Sequence, residues 1–474
     1  MLLERFYDSA LAQASYLIGC QATGEALVVD PNRDIDQYVE FARRRDLRIS
    51  HVTETHIHAD FVSGARALAA RTGAQLLLSG EGGEGWQYAF AGDAGARLLR
   101  DGDSFLVGNV RIDVLHTPGH TPEHLAFVVT DTPATDRPMG VLTGDFLFVG
   151  DVGRPDLLER AAGIADTMEA GARTLWRSLQ RFTALPDYVQ IWPGHGAGSA
   201  CGKALGAVPY STLGYEKIAN WAFGIRDEET FVREVLAGQP TPPRYFAEMK
   251  RVNRDAQPVD GARREVAQRP ARDAEALLAT GTVVVDVRPT AAFASGHIPG
   301  TLNLPLGDSF IGWAGWFLPY DRDLVLIAET AERAAGAATA LAMIGLDRVR
   351  GWMDVEALTA WRESGHELET IPQLTAGELA ARRADPSRPV EVLDVRAESE
   401  WTSGHIPGVR NIPLGTLPDH LAELDRETPL VLQCQGGGRS SVAASLLRSH
   451  GFRNVINLQG GFRGWVAEGG EVER

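Results

Sequence analysis

Six side chains among the first two hundred residues are of types and spacings that bind a divalent metal. His56 and His58 stand two positions apart in Thr55-His56-Ile57-His58-Ala59-Asp60-Phe61, with Asp60 next in the same parity. On an extended segment that alternation puts all three on one side. His120 follows in Thr117-Pro118-Gly119-His120-Thr121, Asp145 in Leu142-Thr143-Gly144-Asp145, and His195 in Trp192-Pro193-Gly194-His195-Gly196. Imidazole and carboxylate together suit iron, zinc or manganese. One such histidine alone reads better as a core or capping residue. Four of them, all at strand ends or turns, favour a metal site.

A second kind of chemistry lies near the C-terminus. An apolar strand, 429–433, runs straight into Cys434-Gln435-Gly436-Gly437-Gly438-Arg439-Ser440. Gly436, Gly437 and Gly438 permit a tight loop whose amides turn inward and hold an anion. The helix expected over 441–449 adds partial positive charge at its start, and Arg439 adds a full one. Such a loop stabilises a thiolate or a persulfide anion. A small buried cysteine at a strand end is the simpler alternative, and the glycine run argues against it.

These residues need rigid elements to carry them. Strand-like runs at 26–30, 47–53 and 111–115 alternate with helix-like runs at 35–45 and 172–181. A Pro-rich segment, 239–243, and a polar, Arg-rich stretch follow, and the composition places a linker at 253–265. Beyond it the chain repeats itself. Asp286-Val287-Arg288, Ser295-Gly296-His297-Ile298-Pro299-Gly300, Asn303 and Pro305-Leu306 recur as Asp394-Val395-Arg396, Ser403-Gly404-His405-Ile406-Pro407-Gly408, Asn411 and Pro413-Leu414, at a constant offset of 108 residues. Each copy alternates strands (282–287, 324–328; 390–395, 430–434) with helices, which implies two doubly wound parallel α/β domains. The expected domains are 1–252, 266–369 and 370–474. In the first copy Ala328 stands where Cys434 stands in the second, the glycines are gone, and Glu329 and Glu332 occupy the anion cradle. That copy reads as catalytically inert, a spacer or docking module. His297 and His405 persist in both copies, with or without the cysteine, so a structural role is expected for them. Trp313, Trp316 and Phe317 either cover an interface or fill the core, core being the default.

Length and composition set bounds. The 474 residues suit about three domains. A net charge of −16 offers no basic stripe, which excludes a nucleic-acid partner. No apolar run approaches a membrane span, and the N-terminus lacks a basic segment followed by an apolar one. Cys20, Cys201 and Cys434 lie far apart, an odd and sparse set that points to a reducing cytoplasm and not to a disulfide framework.

The His56-Ile57-His58-Ala59-Asp60, Pro118-Gly119-His120-Thr121, Thr143-Gly144-Asp145 and Pro193-Gly194-His195 motifs resemble the metallo-β-lactamase superfamily, and within it the persulfide dioxygenases. The Cys434 loop with its Asp-Val-Arg and Gly-His-Ile-Pro-Gly elements resembles rhodanese sulfurtransferases. Nearly the whole chain is similar to a fusion of the two, with an inert rhodanese in the middle. The resemblance implies an αββα sandwich followed by two rhodanese-like domains. Phe61 departs from the dinuclear zinc hydrolases of the superfamily, which place His directly after the motif's Asp. What stays complete is His56, His120 and Asp145, a two-histidine, one-carboxylate set suited to one Fe(II) per chain. His58, Asp60 and His195 are then expected to orient ligands or substrate.

The implied reaction oxidises glutathione, cysteine or coenzyme A persulfides with O₂ to thiol and sulfite. Cys434, assisted by Arg439, would exchange sulfur between persulfide and sulfite or thiosulfate. Arg154 is a candidate contact for a substrate carboxylate or phosphate, a surface arginine being the alternative. Cys201, six residues after His195, is a candidate substrate contact or sulfur relay, a buried structural thiol being the alternative. His116 and His124 read as local hydrogen-bonders. The resemblance also implies a homo-oligomer. The competing function is a zinc thioesterase-type hydrolase fused to a sulfurtransferase. A phosphatase is disfavoured because the Cys-to-Arg loop is one residue short, and a sensor is disfavoured by the complete ligand set.

Overall fold

The structure, a computed structural model, describes residues 1–160, 167–203, 205–387 and 389–474. It falls into two compact units, one of Met1–Arg263 with Ala340–Gly345, the other of Arg264–Thr339 with Leu346–Arg474.

The first unit is built on two six-stranded sheets. One follows chain order: β1 (Leu2–Asp8), β2 (Gln13–Cys20), β3 (Glu25–Val29), β4 (Arg48–Thr53), β5 (Gln75–Ser79) and β6 (Arg97–Leu99). The second comprises β7 (Ser104–Val107), β8 (Val110–His116), β9 (Leu125–Asp131), β10 (Gly140–Gly144), β11 (Gln190–Pro193) and β12 (Ser211–Thr212). The pattern of two explains the layering. In β3, Leu27 and Val29 face the core between the sheets, with Leu77, Ile112, Phe127 and Trp192, while Ala26 and Val28 face the outer layer. Strands covered on both faces are apolar throughout. The outer layers are amphipathic helices. Asp36–Arg44 buries Tyr38, Phe41 and Ala42, and Met168–Phe182 buries Ala172, Leu175, Leu179 and Phe182, each at spacings of three or four. The unit is the expected αββα sandwich.

The second unit holds two parallel sheets. The first contains β13 (Val283–Asp286), β14 (Leu302–Asn303), β15 (Leu324–Ile327) and β16 (Val349–Met353), ordered β14-β13-β15-β16. The second contains β17 (Gln373–Leu374), β18 (Glu391–Asp394), β19 (Arg410–Asn411), β20 (Leu430–Gln433) and β21 (Val455–Leu458), ordered β17-β21-β20-β18-β19. Ala328 and Cys434 each directly follow the central strand, β15 or β20. The two copies touch. Ser445 on the helix after the Cys434 loop accepts from the Asn303 amide (3.1 Å) and donates to its carbonyl (3.3 Å). Trp316 lies against Gly415, where a Cβ would fall 2.8 Å from the indole. Trp316 therefore covers a boundary between the copies, the interface alternative and not the core default.

The segment 253–265 also differs from expectation. Asn253 to Asp255 complete the helix Tyr245–Asp255, and Asn253, Gln257 and Ala262 are buried. Asn253 donates to the His58 and Phe61 carbonyls, and Gln257 to the Glu54 carboxylate. Asn253 and Gln257 serve buried partners while Asp260, Arg263 and Glu265 face solvent, so the start of the segment is packed where composition suggested a linker throughout.

Candidate metal centre and sulfur-transfer loop

The metal-binding candidates collect along one edge of the sandwich, just beyond the ends of β4, β10 and β11 and in the β8–β9 loop. His56, His120 and Asp145 are all buried, and their ligand atoms lie within 4.8 Å of one another. Asp145 Oδ2 is 3.9 Å from His56 Nε2, 3.6 Å from His120 Nε2 and 3.4 Å from His195 Nε2. Neither Asp145 oxygen has a hydrogen-bond partner. The close approach depends on glycine: a Cβ at Gly194 would sit 2.7 Å from Asp145 Oδ1.

Hydrogen bonds fix which nitrogen each ring presents. His120 Nδ1 lies 3.1 Å from the Arg154 carbonyl, which only accepts, so Nδ1 carries the proton and Nε2 keeps its lone pair. For His56, the Thr55 hydroxyl donates to Asp30 Oδ2 (2.9 Å) and accepts from His56 Nδ1 (2.9 Å). Again Nε2 is left as a lone pair facing Asp145. Burial, reinforced for His56 by the neighbouring histidines, lowers the pKa of His56 and of His120 although Asp145 opposes the shift at His120. Both are held as neutral ligands. A buried, unpartnered carboxylate met by two imidazole lone pairs fits a divalent cation, with a second layer of the kind that orients metal ligands.

His58 is turned elsewhere. Its Nε2 is 3.0 Å from Asp30 Oδ1. Burial opposes charge on His58, but Asp30, Glu54 and Asp60 outweigh it and raise its pKa to about 9. Its Nδ1 has no hydrogen-bond partner. Phe61 is fully buried and packs on the His58 ring at 4.4 Å. Asp60 and His195 sit together instead, Oδ2 to Nε2 at 3.2 Å, and Cys201 joins them within 4.8 Å. Burial and the Asp145 and Asp60 carboxylates push the Cys201 thiol well up.

Arg154 does not face a substrate. It is fully buried, bonded to both oxygens of Asp156 (2.8 and 2.7 Å) and to the Ala200 and Pro240 carbonyls. All three of its nitrogens are engaged, so the proposed anion contact is replaced by a strut beneath His120. Sequence reasoning missed Asp30, which organises Thr55 and His58 from β3's end, because nothing local marks it. His124 accepts from the Asp145 amide (3.1 Å) and is bonded to Thr117 (2.9 Å); His116 is bonded to the Pro122 carbonyl (2.7 Å).

At the second site Cys434 is buried, and its Sγ accepts from the Gly437 amide (3.2 Å) and the Ser440 hydroxyl (3.4 Å). Gly437 takes φ of +97°, and the helix Gly438–Ser449 starts behind it. Gly438 itself meets nothing that a Cβ would touch, and Gly436 lies beneath Arg463. Gly461 is sterically required, since its Cβ would collide with the Cys434 carbonyl. Arg439 is bound bidentately by Glu400 (2.6 and 2.7 Å) and still feels the Cys434 charge, so Glu400 shares the cation expected to act on the thiol. Ser440 was the missed donor; a hydroxyl one helical turn into the loop was its only signal. His297 and His405 bond the Phe293 and Trp401 carbonyls and stack on those rings, a structural role.

A sandwich with this ligand edge, followed by two parallel α/β domains of which one keeps a cradled thiol, defines a metalloprotein joined to sulfurtransferase-type modules. The metallo-beta-lactamase superfamily matches residues 9–195, and the rhodanese-like domain matches 270–353 and again 375–468. A metallo-beta-lactamase from Staphylococcus aureus subsp. aureus COL shares 43% identity and a TM-score of 0.69, over 74% of this chain and 99% of that one. ETHE1 from Myxococcus xanthus matches at 28% identity and a TM-score of 0.44, over 54% of this chain and 98% of that one. A hydroxyacylglutathione hydrolase from Nitrosococcus oceani is 33% identical over 199 residues, 41% of this chain and 66% of that protein. The chain belongs to the metallo-β-lactamase superfamily and carries two rhodanese-like domains. That combination makes it an enzyme of sulfur metabolism with a metal-binding fold, acting on small sulfur-containing substrates. Among the described residues no helix is long and apolar enough to cross a membrane.

Proposed function

We propose that the chain oxidises low-molecular-weight persulfides with O₂ at one ferrous ion in the first unit, and moves sulfane sulfur at Cys434 in the second. The supporting observation is the placement of two residues. His58 is committed to Asp30, and Phe61 stands where the hydrolases of the family carry a ligand, so His56, His120 and Asp145 remain as two imidazoles and a carboxylate. Iron held there supplies the one-electron O₂ chemistry that no side chain offers. Thr55 and the Arg154 carbonyl aim the two rings. Buried Phe61, on the His58 ring, and Phe148, beside His195, keep the surroundings dry. Overall, R–S–SH, O₂ and water give R–SH, sulfite and two protons.

At Cys434 the thiolate attacks the outer sulfur of R–S–SH. A Cys434 Sγ–S bond forms, the R–S–S bond breaks, and R–S⁻ leaves. Sulfite then takes the outer sulfur as thiosulfate and the thiolate returns. The Gly437 amide and Ser440 hydroxyl hold the negative charge on Sγ at each stage. On this reading 1–252 is the oxidising domain, 266–369 the copy without a thiol and 370–474 the sulfurtransferase.

A second reading, a zinc hydrolase acting on thioesters, is favoured by the named hydrolases among the relatives and by Asp60 and His195 beside Asp145. The deciding experiment measures O₂ uptake by Fe(II)-loaded protein with glutathione, cysteine and coenzyme A persulfides, with sulfite and thiosulfate quantified. The expected result is one O₂ consumed per persulfide. Two zinc ions per chain, thioester hydrolysis and no O₂ uptake would replace the proposal with the second reading.

A further inference from the structure

Arg396, Arg439 and Arg463 all stand at the Cys434 loop, but their charges are spent differently. Arg396 is buried and bonded to both oxygens of Asp394 (3.1 and 2.7 Å). The inert copy repeats this pair as Arg288 with Asp286, so the pair belongs to the fold and not to the chemistry. Arg439 shares its charge with Glu400. Arg463 is exposed and has no ion-pair partner among the described residues.

The loop itself sets the place of Arg463. The Phe462 amide donates to the Cys434 carbonyl (2.7 Å), and the Arg463 amide donates to the Gln435 carbonyl (3.1 Å). Arg463 Nη2 lies 3.2 Å from where a Gly436 Cβ would fall, and Gly436 is exposed while Cys434 is buried. The guanidinium therefore lies on the solvent side of the loop. The inert copy supplies a comparison. Trp361 and Trp465 each donate Nε1 to the carbonyl six residues on (3.0 and 2.8 Å), which aligns the last helices of the two copies. Two residues before the tryptophan stands Thr359 in the inert copy and Arg463 in the copy with the thiol. The unpaired cation thus accompanies the thiol, whereas the Asp–Arg pair is present in both copies.

We propose that Arg463 is the anion contact that brings the dianionic acceptor, sulfite, to the sulfur carried on Cys434; this rests on the sulfur-transfer reading above. Sulfite's sulfur lone pair forms the new S–S bond, the Sγ–S bond breaks, and its electron pair returns to Sγ. The charge gathered there, one negative from the persulfide and two from sulfite, is conserved in the thiolate and thiosulfate. The Gly437 amide and Ser440 hydroxyl are directed at Sγ, so the charge arriving with the acceptor needs a cation of its own. A guanidinium offers paired N–H donors to two oxygens of such an anion.

The test uses full-length protein under anaerobic conditions, with Cys434 loaded by glutathione persulfide and the excess removed. Cys434→Ser sets the background. Rapid mixing with sulfite, or with the uncharged thiol 2-mercaptoethanol, follows release of thiosulfate or of the new persulfide. Arg463→Gln should raise the sulfite concentration for half-maximal rate roughly tenfold or more, with the limiting rate and transfer to 2-mercaptoethanol little changed. Added KCl should slow the sulfite reaction of the wild type more than that of the variant, and Arg463→Lys should recover part of the loss. An unchanged sulfite dependence in Arg463→Gln, or an equal loss with both acceptors, overturns the assignment and leaves the sulfur-transfer reading standing. Wild-type protein that fails to load, or that loads and yields no thiosulfate, overturns that reading and the assignment with it.

Discussion

Replacing Thr55 by Val tests the tautomer relay that prepares the first metal site. The substitution keeps the shape of the side chain and removes one hydroxyl. In the native chain that hydroxyl accepts from His56 Nδ1 and donates to Asp30 Oδ2. Without it, His56 Nδ1–H is buried against a methyl group. The ring relieves this by moving its proton to Nε2, where Asp145 Oδ2 lies 3.9 Å away. Loss of the donor to Asp30 Oδ2 lowers stability with or without metal, and a separate cost appears when a metal must displace that proton and restore the unpartnered Nδ1–H. An unsatisfied buried donor costs about 1–3 kcal/mol, which is roughly a ten- to hundredfold loss of affinity and the usual range for such outer contacts. Competition of Fe(II) between the protein and a chromophoric chelator measures it. Thr55→Ser should restore most of the affinity, and the rate at saturating iron should change little. Unaltered iron affinity in a folded Thr55→Val protein would refute the reasoning.

Other outcomes follow from the same contacts. Arg154→Ala should lower stability by about 3–5 kcal/mol, since it strands the buried Asp156 carboxylate; denaturant melts check this, and a normally stable variant with a raised KM would return Arg154 to the substrate. Cys434→Ser should abolish thiosulfate formation while leaving O₂ uptake with persulfide little changed, measured on the same sample. Burial holds His297 near a pKa of 4 against 6.5 in the unfolded chain. Between those values the unfolded state binds the extra proton, so the second unit loses on the order of 3 kcal/mol as pH falls from 6.5 to 4. Urea melts followed across that range should show the slope, and His297→Gln should flatten it.

The candidate metal-binding residues and the thiol loop were legible because their signals are local. A histidine pair two residues apart at a strand's end and three glycines after a cysteine are fixed by backbone periodicity and by turn geometry. The sandwich layers were legible for the same reason: Ala26 and Val28 alternate with Leu27 and Val29 whatever they pack against. The repeat, too, exposed the second unit without any knowledge of contacts.

Pairing over long sequence distances was not legible. Asp30 reaches His58 and Thr55 across 28 and 25 residues, and that reach takes up His58 Nε2 and orients Thr55. Arg154 reads as a surface arginine or an anion contact until Asp156, Ala200 and Pro240 close around it. Arg439 reads as the thiol's cation, and the sequence does not show that Glu400, 39 residues earlier, shares its guanidinium. Composition made 253–265 a linker, whereas burial of Asn253 and Gln257 makes it part of the first unit. The sequence by itself determined which donors exist and on which strand ends they stand, because backbone geometry is set by neighbours in the chain. Which lone pair faces which carboxylate was decided only by tertiary structure, because a charge or hydrogen bond is assigned by distance in space.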